Sequence, residues 1–301
     1  MAGKDDTRGA DEEIELKLVF APGGREALLL DPLLAALVPR PMRLGNRYYD
    51  TAERALERAR VALRLRQGEG DAVIQTLKSA GHGEGGLSRR GEWQWRLSEM
   101  RLDLDVLEAL AGQAPSLAAL ADRALLERLR PVFITDFERI AFDIEHRGAL
   151  IELAIDHGTI EVGEQRRSID ELELELKRGT PAALWNLAEQ LAERVALRPS
   201  NASKASRAAA LAHPPSGAGA LPDRAPALFE AAIDALDRAA DAQAPHDELA
   251  FAISALRRLA DTAAEHAERA NRLAERLHRH GGILDAAGGR DALALARALA
   301  A

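Results

Sequence analysis

The sequence predicts an α+β fold, with a strand-rich part from about residue 13 to 178 followed by a largely helical remainder. Three observations point to it. Short runs in which apolar and charged residues strictly alternate recur through the first part. Ala/Leu/Arg/Glu sequence of helical character dominates the second. Near their junction, "HPPSGAGALPDRAP" at 213–226 is rich in Pro and Gly, which remove helix donors and loosen the backbone, so it reads as a linker. The expected division is therefore 1–212, the linker 213–226, and a helical segment 227–301.

The alternation starts in "EIELKLVF", where Glu13, Glu15 and Lys17 share one face of a strand and Ile14, Leu16, Leu18 and Phe20 the other. It continues through "RLGNRYYD", "RVALRLRQ", "AVIQTLKS", "RRGEWQWRL", "VFITDFERIAFDI", "ALIELAID" and "IDELELELKR". Eight such strands are enough to close a barrel. Arg64 and Arg66 oppose Val61, Leu63 and Leu65. Arg90, Glu92, Gln94 and Arg96 oppose Trp93, Trp95 and Leu97, so the two tryptophans are expected to pack outward under helices. Glu152 and Asp156 oppose Ile151, Leu153 and Ile155, and Glu171, Glu173, Glu175 and Lys177 oppose Leu172, Leu174 and Leu176.

Helices are expected at 24–38, 103–111 and 116–129, and in "PAALWNLAEQLAERVA", where Pro181 suits a first helical turn. Beyond the linker they are expected at 225–242, in one long amphipathic stretch at 246–280, and at 290–300. Together these form a small bundle or hairpin appended to the first part. "GHGEGG" at 81–86 lies between two strands with no helix after it, and reads as a flexible hairpin loop.

Composition narrows the chemistry. With no cysteine in 301 residues, disulfides, thiolate zinc sites and cysteine nucleophiles are excluded. A net charge of −8 argues against a general nucleic-acid or membrane-surface binder. The polar N-terminus has no apolar stretch for secretion, and no uncharged apolar run is long enough to span a bilayer, so a cytoplasmic protein is expected. No Walker-type loop or dinucleotide fingerprint is present.

Strands with one apolar face and one face of concentrated mixed charge fit three architectures: an exposed sheet on a helical layer, a membrane barrel, or a soluble barrel with a polar lumen. A membrane barrel would need a secretion signal and has no use for amphipathic helices between strands. An open sheet would have no reason to segregate Arg pairs and acidic triplets by strand. Inside a closed lumen, charges need counter-charges, metal or a charged ligand. Carboxylate oxygens without thiolates suit hard divalent cations, and a ring of Arg and Lys suits phosphate. That combination is the inventory of metal-dependent phosphoryl transfer.

The ordered set Glu13-x-Glu15-x-Lys17, "YYDT" at 48–51, "ALRLR" at 62–66, "TLK" at 76–78, "RGE" at 90–92, "FER" at 137–139, "IELAID" at 151–156, "ELELELK" at 171–177 and "SKASR" at 203–207 resembles the CYTH domain superfamily, the triphosphate tunnel metalloenzymes. The resemblance covers about two thirds of the chain. It implies an eight-stranded antiparallel β-barrel, a tunnel with a charged lumen and flanking helices, that binds a triphosphate with Mg²⁺ or Mn²⁺. Carried over, Glu13, Glu15, Glu152, Asp156, Glu173 and Glu175 are the implied metal ligands, Asp156 ahead of Glu152. Lys17, Arg64, Arg66, Lys78, Arg90, Arg139, Lys177, Lys204 and Arg207 are the implied substrate-binding wall, and Lys17, Arg64, Arg66, Lys78, Arg90 and Arg139 the catalytic set within it. Glu171 is left open between ligation and a mere strand flank, and Arg89 is the alternative to Arg90 should a bulge exchange their faces.

The implied activity is hydrolysis of inorganic triphosphate to pyrophosphate and orthophosphate. The alternatives are an organic triphosphate, as in an adenylyl cyclase, thiamine triphosphatase or nucleoside triphosphatase, or non-catalytic polyphosphate binding. No nucleic acid or membrane partner is expected. "HDELAFAISALRRLAD" at 246–261 is similar to the His-then-Arg-Arg start of a CHAD helix, but the segment is too short for that whole module, and His246, Arg257 and Arg258 are expected at the surface.

Overall fold

The computed structural model describes residues 11–67, 72–214, 219–241 and 246–300. Its strands are β1 (Asp11–Phe20), β2 (Arg40–Asp50), β3 (Ala62–Gln67), β4 (Val73–Lys78), β5 (His82–Glu84), β6 (Leu87–Leu97), β7 (Arg130–His146), β8 (Ala149–Val162), β9 (Gln165–Arg178) and β10 (Leu197–Pro199). All neighbours pair antiparallel in the order β10-β1-β9-β8-β7-β2-β3-β4-β6-β5, and a further β1–β6 pairing closes eight of the strands into a ring. Every alternating run of the sequence is one of those eight.

The two remaining strands have three residues each, too few to show a period. One of them corrects the reading of "GHGEGG" as a flexible loop. His82–Glu84 pairs with β6 in a hairpin whose turn is Gly85 and Gly86, with φ of 62° and 88°. Two consecutive positive φ values are what a tight two-residue hairpin turn requires, and glycine adopts them without strain.

Closure decides which face is inside. Leu16 and Leu18 of β1, Ile151, Leu153 and Ile155 of β8 and Leu172 and Leu174 of β9 point outward and pack under the helix Ala182–Leu191 and the C-terminal helices. Trp93 and Trp95 point outward into a second cluster with Leu107, Leu117, Leu120 and Leu126, under the helical turns that follow β6. A third cluster lies on the inward face: Leu44, Phe137, Ile160 and Ile169, with Ala208 of the helix Lys204–Ala212, form an apolar layer within the ring. Pairings of Leu44 with Phe137, Phe137 with Gly158 and Gly158 with Ile169 put that layer beside the charged positions. Gly158 is required there, because a Cβ would fall 2.2 Å from the Asp136 carbonyl oxygen.

The expected helices form, with three interruptions. The 24–38 stretch breaks into Gly24–Leu29 and Pro32–Ala35, because Asp31 caps the Leu33 amide and Pro32 starts a new first turn. The 116–129 stretch is a 3₁₀ segment, Pro115–Ala121, and a helix, Arg123–Glu127, with Asp122 capping Ala124 and Leu125. The long 246–280 helix is two helices, His246–Thr262 and Ala267–Arg279, parted at Ala263. No proline or glycine marks that break. Folding back lets Ile253, Leu256 and Leu259 share one core with Leu273 and Leu277, which a single straight rod would forbid.

The helix Ala225–Asp241 contributes Leu228, Phe229, Ala232 and Ile233 to that same core, which also contains Leu16 and Leu18 of β1 and Leu172 and Leu174 of β9. Part of the 213–226 linker, 215–218, lies outside the described residues. His246, Arg257 and Arg258 are exposed, as expected. Among the described residues, no helix is long and apolar enough to cross a membrane.

Because the C-terminal helices and the outer face of the ring share one apolar core, Phe229→Ala is expected to destabilise the chain by about 3–5 kcal/mol. The measurement is urea denaturation followed by tryptophan fluorescence and by far-ultraviolet circular dichroism, and both transitions should shift together. A shift confined to the helical signal would show that the ring does not depend on this core.

Candidate functional site: a charged lumen

The charges that alternate along each strand converge inside the ring, and register determines who meets whom. On β1, Glu13 lies opposite Arg90, Glu15 opposite Glu175 and Lys17 opposite Glu173. Glu152 lies opposite Glu175, Asp156 opposite both Glu171 and Arg139, and Tyr48 opposite Arg64. A cavity of about 220 Å³ is lined by all the implied site residues except Asp156 and Arg207. Arg90, not Arg89, faces it, because β6 pairs with both neighbours without a shift of register.

The lumen divides into regions of different charge balance. In the first, Asp156, Glu171 and Glu173 are met by Arg139, Lys17 and Lys204. Arg139 holds Asp156 with two bonds of 2.7 Å, from Nε to Oδ1 and from Nη2 to Oδ2, and also donates to Glu173. Lys204 Nζ donates to Asp156 Oδ2 at 2.7 Å, to Glu173 Oε1 at 3.0 Å and to Glu171. Lys17 Nζ reaches Glu173 at 2.5 Å and Glu171 at 3.3 Å. Burial would raise the Asp156 and Glu173 carboxyls, but the surrounding cations hold both below the usual carboxylate range. Burial works against the Lys17 ammonium too, and Glu15, Glu171 and Glu173 reverse it.

These three carboxylates lie close enough together to hold a metal ion. The Lys204 ammonium, hydrogen-bonded to all three, already occupies their centre, and Asp156 is fully buried behind it. The trio is therefore a lysine cage. Glu171, left open in the sequence, belongs to it.

In the second region Glu13 accepts from Lys78 Nζ at 2.6 Å and from Arg90 Nε at 2.7 Å. Burial alone would raise its carboxyl, and the two cations drive it far down. The third region has an excess of acid. Glu15, Glu175 and Glu152 stand side by side on β1, β9 and β8. Glu175 has Lys177 at 2.6 Å, and Glu152 has Arg40 at 2.8 Å from the rim. Burial raises the Glu175 carboxyl; Lys177 pulls it down, and the nearby Glu13 and Glu152 push it further up.

The fourth region has an excess of base. Arg64 and Arg66 on β3 form no carboxylate ion pair among the described residues. Arg66 donates from Nε to Asn46 Oδ1 at 2.9 Å, and Arg64 Nε is buried without a hydrogen-bond partner. Burial, aided by Arg64 and Arg139, pushes the Arg66 guanidinium down to about 9. In the ring order β3 is four strands from β9 in either direction. The free arginines therefore face Glu173 and Glu175 across the lumen.

Two implied residues do not line that cavity. Arg207, on the helix that carries Lys204, donates to the Ser168 carbonyl at 2.7 Å and lines a separate cavity. Asp156 makes its contacts behind Arg139 and Lys204. Sequence reasoning also missed lumen residues that share the inward parity, Tyr48, Thr76 and Phe137, whereas Glu92 and Gln94 lie on the charged face expected for their strand. Their strand positions alone marked them. Asp50 of "YYDT" is buried for a structural reason, accepting from the amides of Thr51, Leu56 and Glu57 at the turn into β3.

Asp156→Asn would leave Arg139 and Lys204 short of a counter-charge and is expected to destabilise the chain by about 3–5 kcal/mol. The pH dependence follows from the signs. Glu13, Asp156 and Glu173 have lowered values, so their contribution is present above about pH 5 and is lost as pH falls toward the folded-state values. Lys17 and Lys204 have raised values, so theirs is present below about pH 10 and is lost above. Denaturant midpoints from pH 2 to 11 should show a plateau falling on both sides, and Asp156→Asn should flatten the acid limb.

The CYTH domain family model matches residues 11–209. An inorganic triphosphatase of Haemophilus influenzae is 34% identical over 197 residues, 65% of this chain and 54% of that protein, so the chain spans about half the length of this relative. Similar solved structures include HpAC1 from Hippeastrum, described as having a dominant triphosphatase activity, at 20% identity and a TM-score of 0.46 over 66% of this chain and 95% of that one. The PH1819 protein of Pyrococcus horikoshii is similar at 19% identity and a TM-score of 0.42 over 64% and 96%. With the family model covering most of its length and the motifs of that model lining a closed ring, this chain belongs to the CYTH domain family.

Proposed function

We propose that the chain hydrolyses inorganic triphosphate to pyrophosphate and orthophosphate, with Mg²⁺ or Mn²⁺, in the lumen and in the cytoplasm. One observation carries the reading. Across one cross-section the lumen presents arginines without acids, Arg64 and Arg66, against carboxylates in excess, Glu15, Glu152 and Glu175. Arginines without a carboxylate partner and three carboxylates crowded side by side, each only partly offset by Lys17, Lys177 or Arg40, are both unfavourable, and a polyanion accompanied by a divalent cation relieves both at once.

The donor set fits the metal: the lining offers carboxylate oxygens and no thiolate, and the Glu175 carboxyl, raised first by burial and further by Glu13 and Glu152, is one whose charged form a cation would favour. Glu15, Glu152 and Glu175, with Glu13 beside them, would hold it. Asp156 is better assigned to orienting Arg139 and Lys204 than to ligation. Bound there, the ion supplies Lewis-acid polarisation of phosphoryl oxygens.

The chain's own residues do the rest. Arg64, whose buried Nε has no hydrogen-bond partner, and Arg66 bind phosphoryl oxygens with their guanidinium N–H groups, and Lys78, Arg90, Lys17 and Arg139 complete a wall spanning several strands. Their fixed positive charge stabilises the charge spread over the phosphoryl group during transfer. The Haemophilus relative's activity supports the choice of inorganic triphosphate.

A second reading, an organic triphosphate, is favoured by a larger cavity of about 790 Å³ that shares Glu15, Lys17, Tyr48, Lys78 and Arg90 with the lumen and reaches past Tyr49 and Phe133. It offers room for a group attached to the phosphates. The test offers purified protein triphosphate, ATP, thiamine triphosphate and long-chain polyphosphate with each metal, measuring phosphate and cyclic AMP. Fastest turnover is expected with triphosphate. Tight polyphosphate binding without any turnover would refute an enzyme.

Within that assay Glu175→Gln should lower metal-dependent turnover on the order of 100-fold. Arg66→Ala should raise KM by ~10- to 100-fold, the worth of a charge-assisted hydrogen bond. Unchanged kinetics in either variant would remove that residue from the site.

A further inference from the structure

Where the Lys204 ammonium sits depends on the short turn that precedes its helix. Ser203 caps that helix, accepting from the Ser206 amide at 3.0 Å, so the helix starts where residues 200–203 place it. The turn is tied to β1 through the Ser200 N–H, which donates to the Lys17 carbonyl at 3.1 Å. Beyond it, the amides of Asn201 and Ala202 both donate to a carboxylate from outside the ring. Asp237, on the helix Ala225–Asp241 and only 8% exposed, accepts at Oδ2 from Asn201 N (2.9 Å), Ala202 N (3.1 Å) and Ser200 Oγ (3.0 Å). Its Oδ1 accepts from Arg198 at 2.5 Å.

The same helix reaches the other lumen lysine. Asn201 donates from Nδ2 to Glu230 at 2.7 Å and to Asp234 at 2.9 Å, while its Oδ1 accepts from the Gly86 amide at 2.9 Å. Gly85 N–H donates to Glu230 at 2.5 Å. The Gly86 carbonyl in turn accepts from the Lys17 amide at 2.9 Å. Both backbone groups of Lys17 are thus held by the turn and the hairpin that this helix fastens. Lys17 and Lys204 then meet on the same carboxylates, Glu171 and Glu173.

We infer that Asp237 is a positioning residue for the lumen, fixing through the 200–203 turn the placement of Lys204 and, with Glu230, that of Lys17. The C-terminal helix, which lies beyond the matched family segment, is on this account part of how the basic wall is built. The geometry stands alone; only its effect on substrate rests on the proposed function.

Two measurements on the full chain test it. In hydrogen–deuterium exchange, Asp237→Asn keeps the side-chain shape but replaces one acceptor oxygen with a donor. Peptides covering 200–206 should exchange at least ~10-fold faster, with those covering 165–178 unchanged. Undiminished protection at 200–206 overturns the inference. In triphosphate kinetics, Asp237→Asn should raise KM ~10-fold, and the double variant with Lys204→Ala should be no worse than Lys204→Ala alone. Independent, additive losses overturn it.

Phe229→Ala is the control, since it weakens the same helix through the core and should leave KM unchanged. If Lys204→Ala itself does not alter KM, the cage does not bear on substrate binding, and the exchange result still decides the positioning. Should Asp237→Asn not fold, Ser200→Ala removes one donor to the same carboxylate and should give a smaller rise in both readouts.

Discussion

Closure of the ring imposes the constraint on which the rest depends: a charge that points inward leaves bulk water and must find a counter-charge on another strand. β1 and β9 satisfy this only in part between themselves, because Lys17 meets Glu173 but Glu15 faces Glu175 in register. The compensation therefore crosses strands, with Lys78 and Arg90 serving Glu13, and Lys17, Arg139 and Lys204 serving Glu171, Glu173 and Asp156. The balance differs between opposite walls: the acids toward β8 and β9 draw on Lys177 and on Arg40 at the rim, while the arginines on β3 have no carboxylate ion pair among the described residues. Such a separation persists in a folded interior only with the rest of the network holding it rigid.

The outer apolar face answers the same constraint from the other side. With charges inward, Leu16, Leu18, Leu172 and Leu174 need cover, and helices from both ends of the chain provide it. The C-terminal helices do more than cover. Through Asp237 and Glu230 they hold the turn and the hairpin that flank the lumen lysines, so core packing and site geometry are linked in one body. The apolar layer of Leu44, Phe137, Ile160 and Ile169 adds a boundary inside the ring, with the Lys204 ammonium 4.9 Å from the Phe137 ring centre.

Much of this could be read without coordinates. A period of two is a local property of the chain, so all eight ring strands and the inward parity of Glu13, Lys17, Arg64, Arg66, Lys78, Arg90, Arg139 and Glu173 were legible. Three-residue strands have no period to read, and the break at Ala263 has no local signal because it follows from what two helices bury together. Asp156 and Glu152 share a parity, so alternation could not tell them apart, and the resemblance put Asp156 ahead as a ligand. Arg207 shares a helix face with Lys204: its Nη2 donates to the Ser168 carbonyl, and its Nη1 lies 4.0 Å from Glu171, a carboxylate of the lysine cage.

The sequence by itself determined which residues face the lumen and that acids and bases would meet there, because alternation fixes side. Only the tertiary structure decided who pairs with whom, since pairing depends on register between strands far apart in the chain and on how the ring closes. It thereby made Asp156 the buried base of a lysine cage, left Arg64 and Arg66 free of acids, and brought a carboxylate from position 237 to the turn before Lys204.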